Sequence, residues 1–237
     1  DKVRILNFAI TVDGNCYTER EDFTAEEYYE ILRHAQGIPS TAHITSFRFF
    51  DVFLEYDKAG YTDLIVVPIC ASGSATNDAA HLAWQQFQEE YPQSTLNVHI
   101  IDSRCYSMAY GYPICLAAEK LQNDEPVESV LRFLEQFFAS VEIVLTPYTL
   151  RFIKQSGRVS AAAAFAGDLL GLRPLITLND GISKVKSKVR GDKQVLPALV
   201  NHLKQNIIPG KFYIVATTDY ENGKKLAALC EKELGYP

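Results

Sequence analysis

The chain lacks any apolar run approaching the roughly 18 residues of a membrane span, and no signal peptide is visible. Stable membrane insertion is therefore not expected. Its five cysteines, Cys16, Cys70, Cys105, Cys115 and Cys230, are odd in number and widely spaced, with no Cys-x-x-Cys pair to suggest zinc or redox chemistry. A reducing, cytoplasmic setting fits that usage. Basic charge is short as well: 23 Lys and Arg against 29 Asp and Glu leave a net charge of -6. A general nucleic-acid binder needs a basic surface for counterion release, so nucleic acid is excluded as a partner. Gly-x-x-x-x-Gly-Lys and Gly-x-Gly-x-x-Gly are both missing, and the five histidines form no metal-ligand pattern. Nucleotide and metal chemistry lose their usual signatures. No Pro/Gly-rich linker, internal repeat or low-complexity tract interrupts the chain. The first residue is Asp1, almost directly in a strand pattern, and the expectation is that an N-terminal piece is missing.

What is present is an ordinary α/β composition. With 237 residues and 47% hydrophobic content, the chain can bury one large core or two small ones. Its most informative stretch is Ser72-Gly73-Ser74-Ala75-Thr76, which follows the apolar run at 64–69 and precedes a helix-like pattern at 79–91. Strand, tight hydroxyl-rich turn and helix start follow one another. Such a turn aims backbone N–H groups, the positive end of the helix dipole and side-chain hydroxyls at one point, which suits a carboxylate or phosphate. Ser74 and Thr76 read equally well as plain N-caps.

Periodicity alternates along the chain. Residues 3–12 read as a strand ending in the Asp13-Gly14 turn, and Thr24-Ala25-Glu26-Glu27 is a capping box that opens a helix to about Ala35. A Gly-Ile-Pro-Ser-Thr loop leads to a helix at 45–58, followed by a strand at 64–69, a helix to Tyr91, a strand at 96–101, and helices at 107–121 and 127–138. Strands alternating with helices imply a parallel sheet with right-handed crossovers. From about Ser140 the texture changes: a short strand at 142–146, a helix at 148–155, an alanine-rich helix at 160–170, and a hairpin of 175–178 with 184–189 around Asn179-Asp180-Gly181. A helix at 195–205, a strand at 212–216 and a helix at 221–233 finish the chain. The expected organisation is a first α/β domain over 1–139 and a smaller one over 140–237, with the cleft between them as the default ligand site.

An ordered set of motifs is then informative. Asp102-Ser103, Ser107-Met108, Gly111, Ser156-Gly157-Arg158-Val159-Ser160, Arg173-Pro174, Asp180-Gly181 and Val189-Arg190-Gly191 stand in the order and spacing of the DegV family of bacterial fatty-acid-binding proteins, which the chain resembles over nearly its whole length. The resemblance implies two α/β domains with a long acyl chain buried between them and its carboxyl group near the loops of the first. It implies no enzyme activity of its own and no cofactor beyond the bound lipid. The implied partner is a separate fatty acid kinase, which makes acyl phosphate for phospholipid synthesis from the presented fatty acid.

By the same resemblance, a family motif like Thr-Ser-Gln-Pro-Ser matches Thr41-Ala42-His43-Ile44-Thr45, and one like Ser-Gly-x-Ser-Gly-Thr matches the segment that keeps Ser74 and Thr76. Thr41 and Ser74, with Thr45 and Thr76, are the implied carboxylate ligands. The family's Ala-His-Ala-Asp segment becomes Ala216-Thr217-Thr218-Asp219, with threonine in place of the histidine, and the family's opening Asp-Ser strand is absent. Ala162, Phe165, Ala166, Leu169 and Ile176 are the expected lining of the acyl cavity. The alanines at 161–164 also read as a helix packed tightly on a sheet.

Two further features stay open at this level. Lys184, Lys186, Lys188 and Arg190 alternate with Ser183, Val185, Ser187 and Val189, so a strand places all four cations on one face. They read either as a lysine-protected edge strand or as part of a kinase-docking surface in which Arg190 acts with Arg158 and Arg173. The rival function is a serine hydrolase or acyltransferase with Ser74 as nucleophile, His43 or His81 as base, and Asp102. It lacks a Gly-x-Ser-x-Gly elbow.

Overall fold

Local signals set the first elements of the computed structural model, which describes residues 3–160 and 171–235. β1 (Ala9–Val12) and β2 (Asn15–Thr18) form an antiparallel hairpin closed by Asp13 and Gly14, at φ 48° and 84°. Two successive positive φ angles are what the twist of a two-residue hairpin demands, and Asp-Gly supplies them at low cost. The capping box forms as expected ahead of α1 (Ala25–His34): Thr24 Oγ1 accepts from Glu27 N–H at 3.3 Å, and Glu27 Oε2 accepts from Thr24 N–H at 2.7 Å. β3 (Ser40–Ala42) then pairs antiparallel with the other edge of β1, setting Thr41 opposite Ile10. Neither β2 nor β3 carries the apolar alternation that marks a strand, and β3 overlaps the segment expected as a Gly-Ile-Pro-Ser-Thr loop. Pairing with β1 makes them strands.

The expected crossover follows. α2 (Ser46–Lys58), β4 (Asp63–Val66), α3 (Thr76–Glu90), β5 (Asn97–Ile100), α4 (Met108–Gln122) and α5 (Val127–Ser140) follow in order, with β4 and β5 parallel from Asp63↔Asn97 to Val66↔Ile100. Side chains alternate across this pair, as a pleat requires. Leu64, Val66, Val98 and Ile100 pack on a cluster of Phe49, Phe53, Ala80, Ala83 and Phe87 from α2 and α3. Ile65, Val67 and Ile101 pack on Cys105, Ala117, Val130, Leu134 and Phe138, mostly from α4 and α5. Helices thus cover both faces, which explains why the segment that begins in β4 reads as a continuous apolar run at 64–69. The α/β class is as expected, but among the described residues the parallel arrangement is confined to β4 and β5, and β1–β3 form a separate antiparallel sheet.

The chain divides into two units, Asp1–Val141 and Glu142–Pro237. In the second, β6 (Ile143–Leu145), β7 (Leu172–Asn179) and β8 (Ile182–Arg190) form an antiparallel sheet in the order β6-β7-β8. β7 is central, and its stretch Pro174 to Leu178 is buried on both faces. α6 (Arg151–Ser156) precedes it; α7 (Val195–Asn206) and α8 (Tyr220–Leu234) follow and pack on each other. Beyond Ser160, the expected alanine-rich helix lies outside the described residues. Among the described residues, the segment expected as a strand at 212–216 is assigned to no sheet, and Phe212 and Ile214 stay about half exposed at 45% and 43%.

The cationic strand is corrected too. Val185 lies opposite Ile176 but Ser187 lies opposite Leu175, so Lys186 is an extra residue in a β-bulge. A one-residue slip exchanges faces. Lys184 therefore shares a face with Ser187 and Val189, whereas Lys188 and Arg190 share theirs with Ser183 and Val185, and no single-faced stripe exists.

Candidate functional site

The β4–β5 ladder continues past the strands toward the hydroxyl-rich turn. Ile101 N–H donates to Val66 O at 2.9 Å, Ser103 N–H to Pro68 O at 3.3 Å, and Cys70 N–H to Cys105 O at 3.1 Å. Two loops are thereby held side by side at the carboxyl ends of parallel strands, the place where open α/β sheets bind ligands. Asp102 clamps them together: its Oδ1 accepts from Ala71 N–H at 3.0 Å and from Arg104 N–H at 2.9 Å. Residues Ala71–Gly73 form one 3-10 turn, over which the ring of Tyr106 lies so closely that a Cβ on Gly73 would sit 2.3 Å from Tyr106 Oη. Gly73 is required there by contact, not by its φ. Ser103 is fully buried and bridges Cys105 through both its backbone groups, its Oγ donating to the carbonyl and accepting from the N–H at 3.3 Å each. Arg104 and Ser107, at φ 54° and 53°, concentrate left-handed backbone in the same short loop.

Ser74 then leaves the turn in extended conformation, φ -157° and ψ 138°, and α3 begins two residues later. Its Oγ lies 2.8 Å from Thr76 Oγ1 and accepts from Thr76 N–H at 3.3 Å. Thr76 is 3% exposed while Ser74 is partly exposed, so the two hydroxyls differ in role. Either hydroxyl can donate in this pair; when that of Thr76 does, the Ser74 hydrogen is available to a ligand.

The second hydroxyl loop lies at the start of α2. Thr45 is its N-cap and accepts from Arg48 N–H at 3.3 Å, which leaves its own O–H as a donor. Thr41 is exposed on the edge strand β3. Between them Ile44 is buried in the same cluster as Ala79 and Ala80 of α3, and this ties both hydroxyl loops to one core. Thr45 thus caps α2, and a capping oxygen still offers a hydrogen.

The other sequence-derived residues are distributed as follows. Among the described residues no histidine hydrogen-bonds Ser74 or Asp102, and His43 and His81 are both exposed, so the hydrolase triad is not assembled. Ile176 is fully buried in β7; Ala162, Phe165, Ala166 and Leu169 lie outside the described residues. Arg173 is engaged within its own unit, with Nε 2.8 Å from Asp192 Oδ1 and the guanidinium 5.9 Å from the Tyr148 ring centre. Burial, with Asp192 and Asp219 nearby, raises the Tyr148 phenol above its ordinary range against the opposing pull of Arg173. Arg158 Nη1 donates to Ser156 O at 2.8 Å, and Arg190 is exposed at the end of the edge strand. Thr217, where the family's histidine would stand, is occupied locally: its Oγ1 accepts from Asp219 N–H at 3.0 Å, and Asp219 in turn caps α8. Tyr106 and Asn77 carried no signal in the sequence, since an aromatic in a loop and an amide in a helix are unremarkable until their burial is known.

Fold and site together define a two-unit α/β protein whose first unit gathers neutral hydroxyl and N–H donors at the carboxyl edge of its parallel strands. The chain belongs to the DegV family: the family model described as "Uncharacterised protein, DegV family" matches residues 1–235. It is 27% identical over 205 residues to a DegV domain-containing protein of Clostridium perfringens, covering 86% of this chain and 71% of that one. A fatty-acid-binding DegV family protein from Thermus thermophilus is similar at 26% identity and a TM-score of 0.73, covering 85% of this chain and 69% of that one. The fatty acid kinase B3 protein of Streptococcus pneumoniae, loaded with linoleic acid, shares the fold at 16% identity and a TM-score of 0.82, covering 97% and 80%. Among the described residues no helix is long and apolar enough to cross a membrane.

Proposed function

We propose that this protein is a cytoplasmic fatty-acid carrier, not itself an enzyme. It takes up one long-chain fatty acid, buries the tail, and presents the carboxyl group to a separate kinase for acyl phosphate formation. In this reading Thr41, Thr45 and Ser74 hold the carboxylate, Thr76 orients Ser74, and Ala162, Phe165, Ala166, Leu169 and Ile176 surround the tail. Arg190, with Arg158 and Arg173, faces the kinase. No cofactor is needed.

The observation that carries the reading is the partly exposed Ser74 hydroxyl, paired with the buried Thr76 hydroxyl at the start of α3, in a chain of the family to which the fatty-acid-binding Thermus protein belongs. Each buried CH2 of the tail contributes about 0.8 kcal/mol, and each hydroxyl bond to a carboxylate about 1.5 to 3 kcal/mol. The tail supplies most of the gross affinity, and the head group orients it. Neutral donors also suit release of a more highly charged acyl phosphate, which a buried Lys or Arg pair would grip.

The test is organic extraction and mass spectrometry of the purified protein, beside native mass spectrometry of the same sample. The expected result is one fatty acid per chain, weakened or lost in the Thr41→Ala, Ser74→Ala double variant. A lipid-free protein that also refuses added fatty acids overturns the proposal.

A further inference from the structure

Asn77 is an unusual residue for its position. It is the second residue of α3 and only 7% exposed, and its Nδ2 has no hydrogen-bond acceptor among the described residues. A buried amide donor without an acceptor forfeits its hydration and gains nothing in return, so an apolar residue of the same size would suit the empty protein better. Such a group calls for an explanation, and a ligand oxygen is one.

Its surroundings point the same way. The preceding residue, Thr76, is bonded through its hydroxyl and its N–H to Ser74 Oγ. The helical ladder begins only with Ala79 N–H to Ala75 O at 3.0 Å, which leaves the N–H groups of Asn77 and Asp78 ahead of it, at the positive end of a 15-residue helix. Three residues on, Ala80 is fully buried in the α2–α3 core cluster, so the amide lies on the inner side of the helix. One turn of chain therefore carries the Ser74 hydroxyl, two backbone N–H groups outside the ladder, and a buried amide whose donors are unspent.

We propose that Asn77 is a further head-group residue: its Nδ2 donates to an oxygen of the bound fatty acid and makes the site favour an ionised carboxylate over a neutral head group. This rests on the fatty-acid reading above. The preference follows from chemistry, because an N–H bond to a charged oxygen is roughly twice as strong as one to a neutral oxygen. It also explains why a costly donor is kept in a buried place: the penalty falls on the empty protein, and the bound lipid removes it.

The test compares palmitate and hexadecanol binding in delipidated wild type, Asn77→Leu, Asn77→Asp and Ser74→Ala, with thermal unfolding of each lipid-free protein. Asn77→Leu is expected to weaken palmitate on the order of tenfold or more, with a far smaller effect on hexadecanol and no fall in lipid-free melting temperature. Asn77→Asp, of nearly the same size, is expected to lose palmitate by charge repulsion while keeping hexadecanol. Unchanged palmitate affinity in Asn77→Leu, or a lipid-free melting temperature lowered by several degrees, overturns the proposal by making the amide idle or structural. If wild type itself binds neither probe, the fatty-acid reading has failed and this inference falls with it, an outcome distinct from normal binding in every Asn77 variant.

Discussion

A single methyl group at Gly73 is the sharpest probe of the site. Gly73 has no positive φ, so Gly73→Ala meets no backbone penalty, and its effect comes from contact alone: the new Cβ would lie 2.3 Å from Tyr106 Oη, 3.0 Å from Cζ and 3.1 Å from Cε1. Overpacking of this kind costs about 1–3 kcal/mol, which for a domain of this size lowers the melting temperature by about 2–4 °C per kcal/mol. Removing the phenol oxygen leaves Cζ at 3.0 Å as the nearest atom, a distance that a few tenths of an ångström of ring movement relieves. In a Tyr106→Phe background Gly73→Ala should therefore cost about 1 kcal/mol less than in the wild type. A four-protein thermal or urea unfolding cycle reads this coupling. Because Ser74 is the next residue, fatty-acid affinity should fall in the single variant and recover in the double. Equal costs in both backgrounds, additive to within about 0.3–0.5 kcal/mol, would refute the contact as the reason for glycine.

Asp102→Ala frees the Ala71 and Arg104 N–H groups and should cost about 1.5–3 kcal/mol in unfolding, with weaker lipid binding; Asp102→Ala indistinguishable from wild type would show that the clamp holds nothing. Glu27 is held below its ordinary value of 4.5, first by the Thr24 backbone N–H and then by its hydroxyl. Its contribution is present above pH 4.5 and lost as pH falls through the lower folded value, so the stability gap between wild type and Glu27→Gln should close on acidification below pH 4.5; a gap constant with pH would contradict the capping box. Arg190→Glu should abolish phosphorylation of the bound fatty acid by a fatty acid kinase while leaving lipid content unchanged. Loss of both would indicate misfolding instead, and loss of neither would remove Arg190 from the docking surface.

Much of the scaffold was legible in the sequence because its causes are local. The Thr24–Glu27 box, the Asp13-Gly14 and Asp180-Gly181 turns and the amphipathic helices each depend on residues a few positions apart, and they form where expected. The apolar run at 64–69 likewise announced the strand β4. Ordered motifs spread along the chain sufficed for the family. The tertiary structure decided what depends on distant partners. Ser40–Ala42 is a strand only because β1 offers an edge. A single bulge at Lys186 divides between two faces the cations that simple alternation puts on one, since side-chain direction along a strand follows the register with its partner. At the site, the sequence supplied Ser74 and Thr76 but not their pairing, which burial and one 2.8 Å hydrogen bond show. Asp102 is 31 residues from the Ala71 N–H it holds, and only the parallel pairing of β4 with β5 brings the two together.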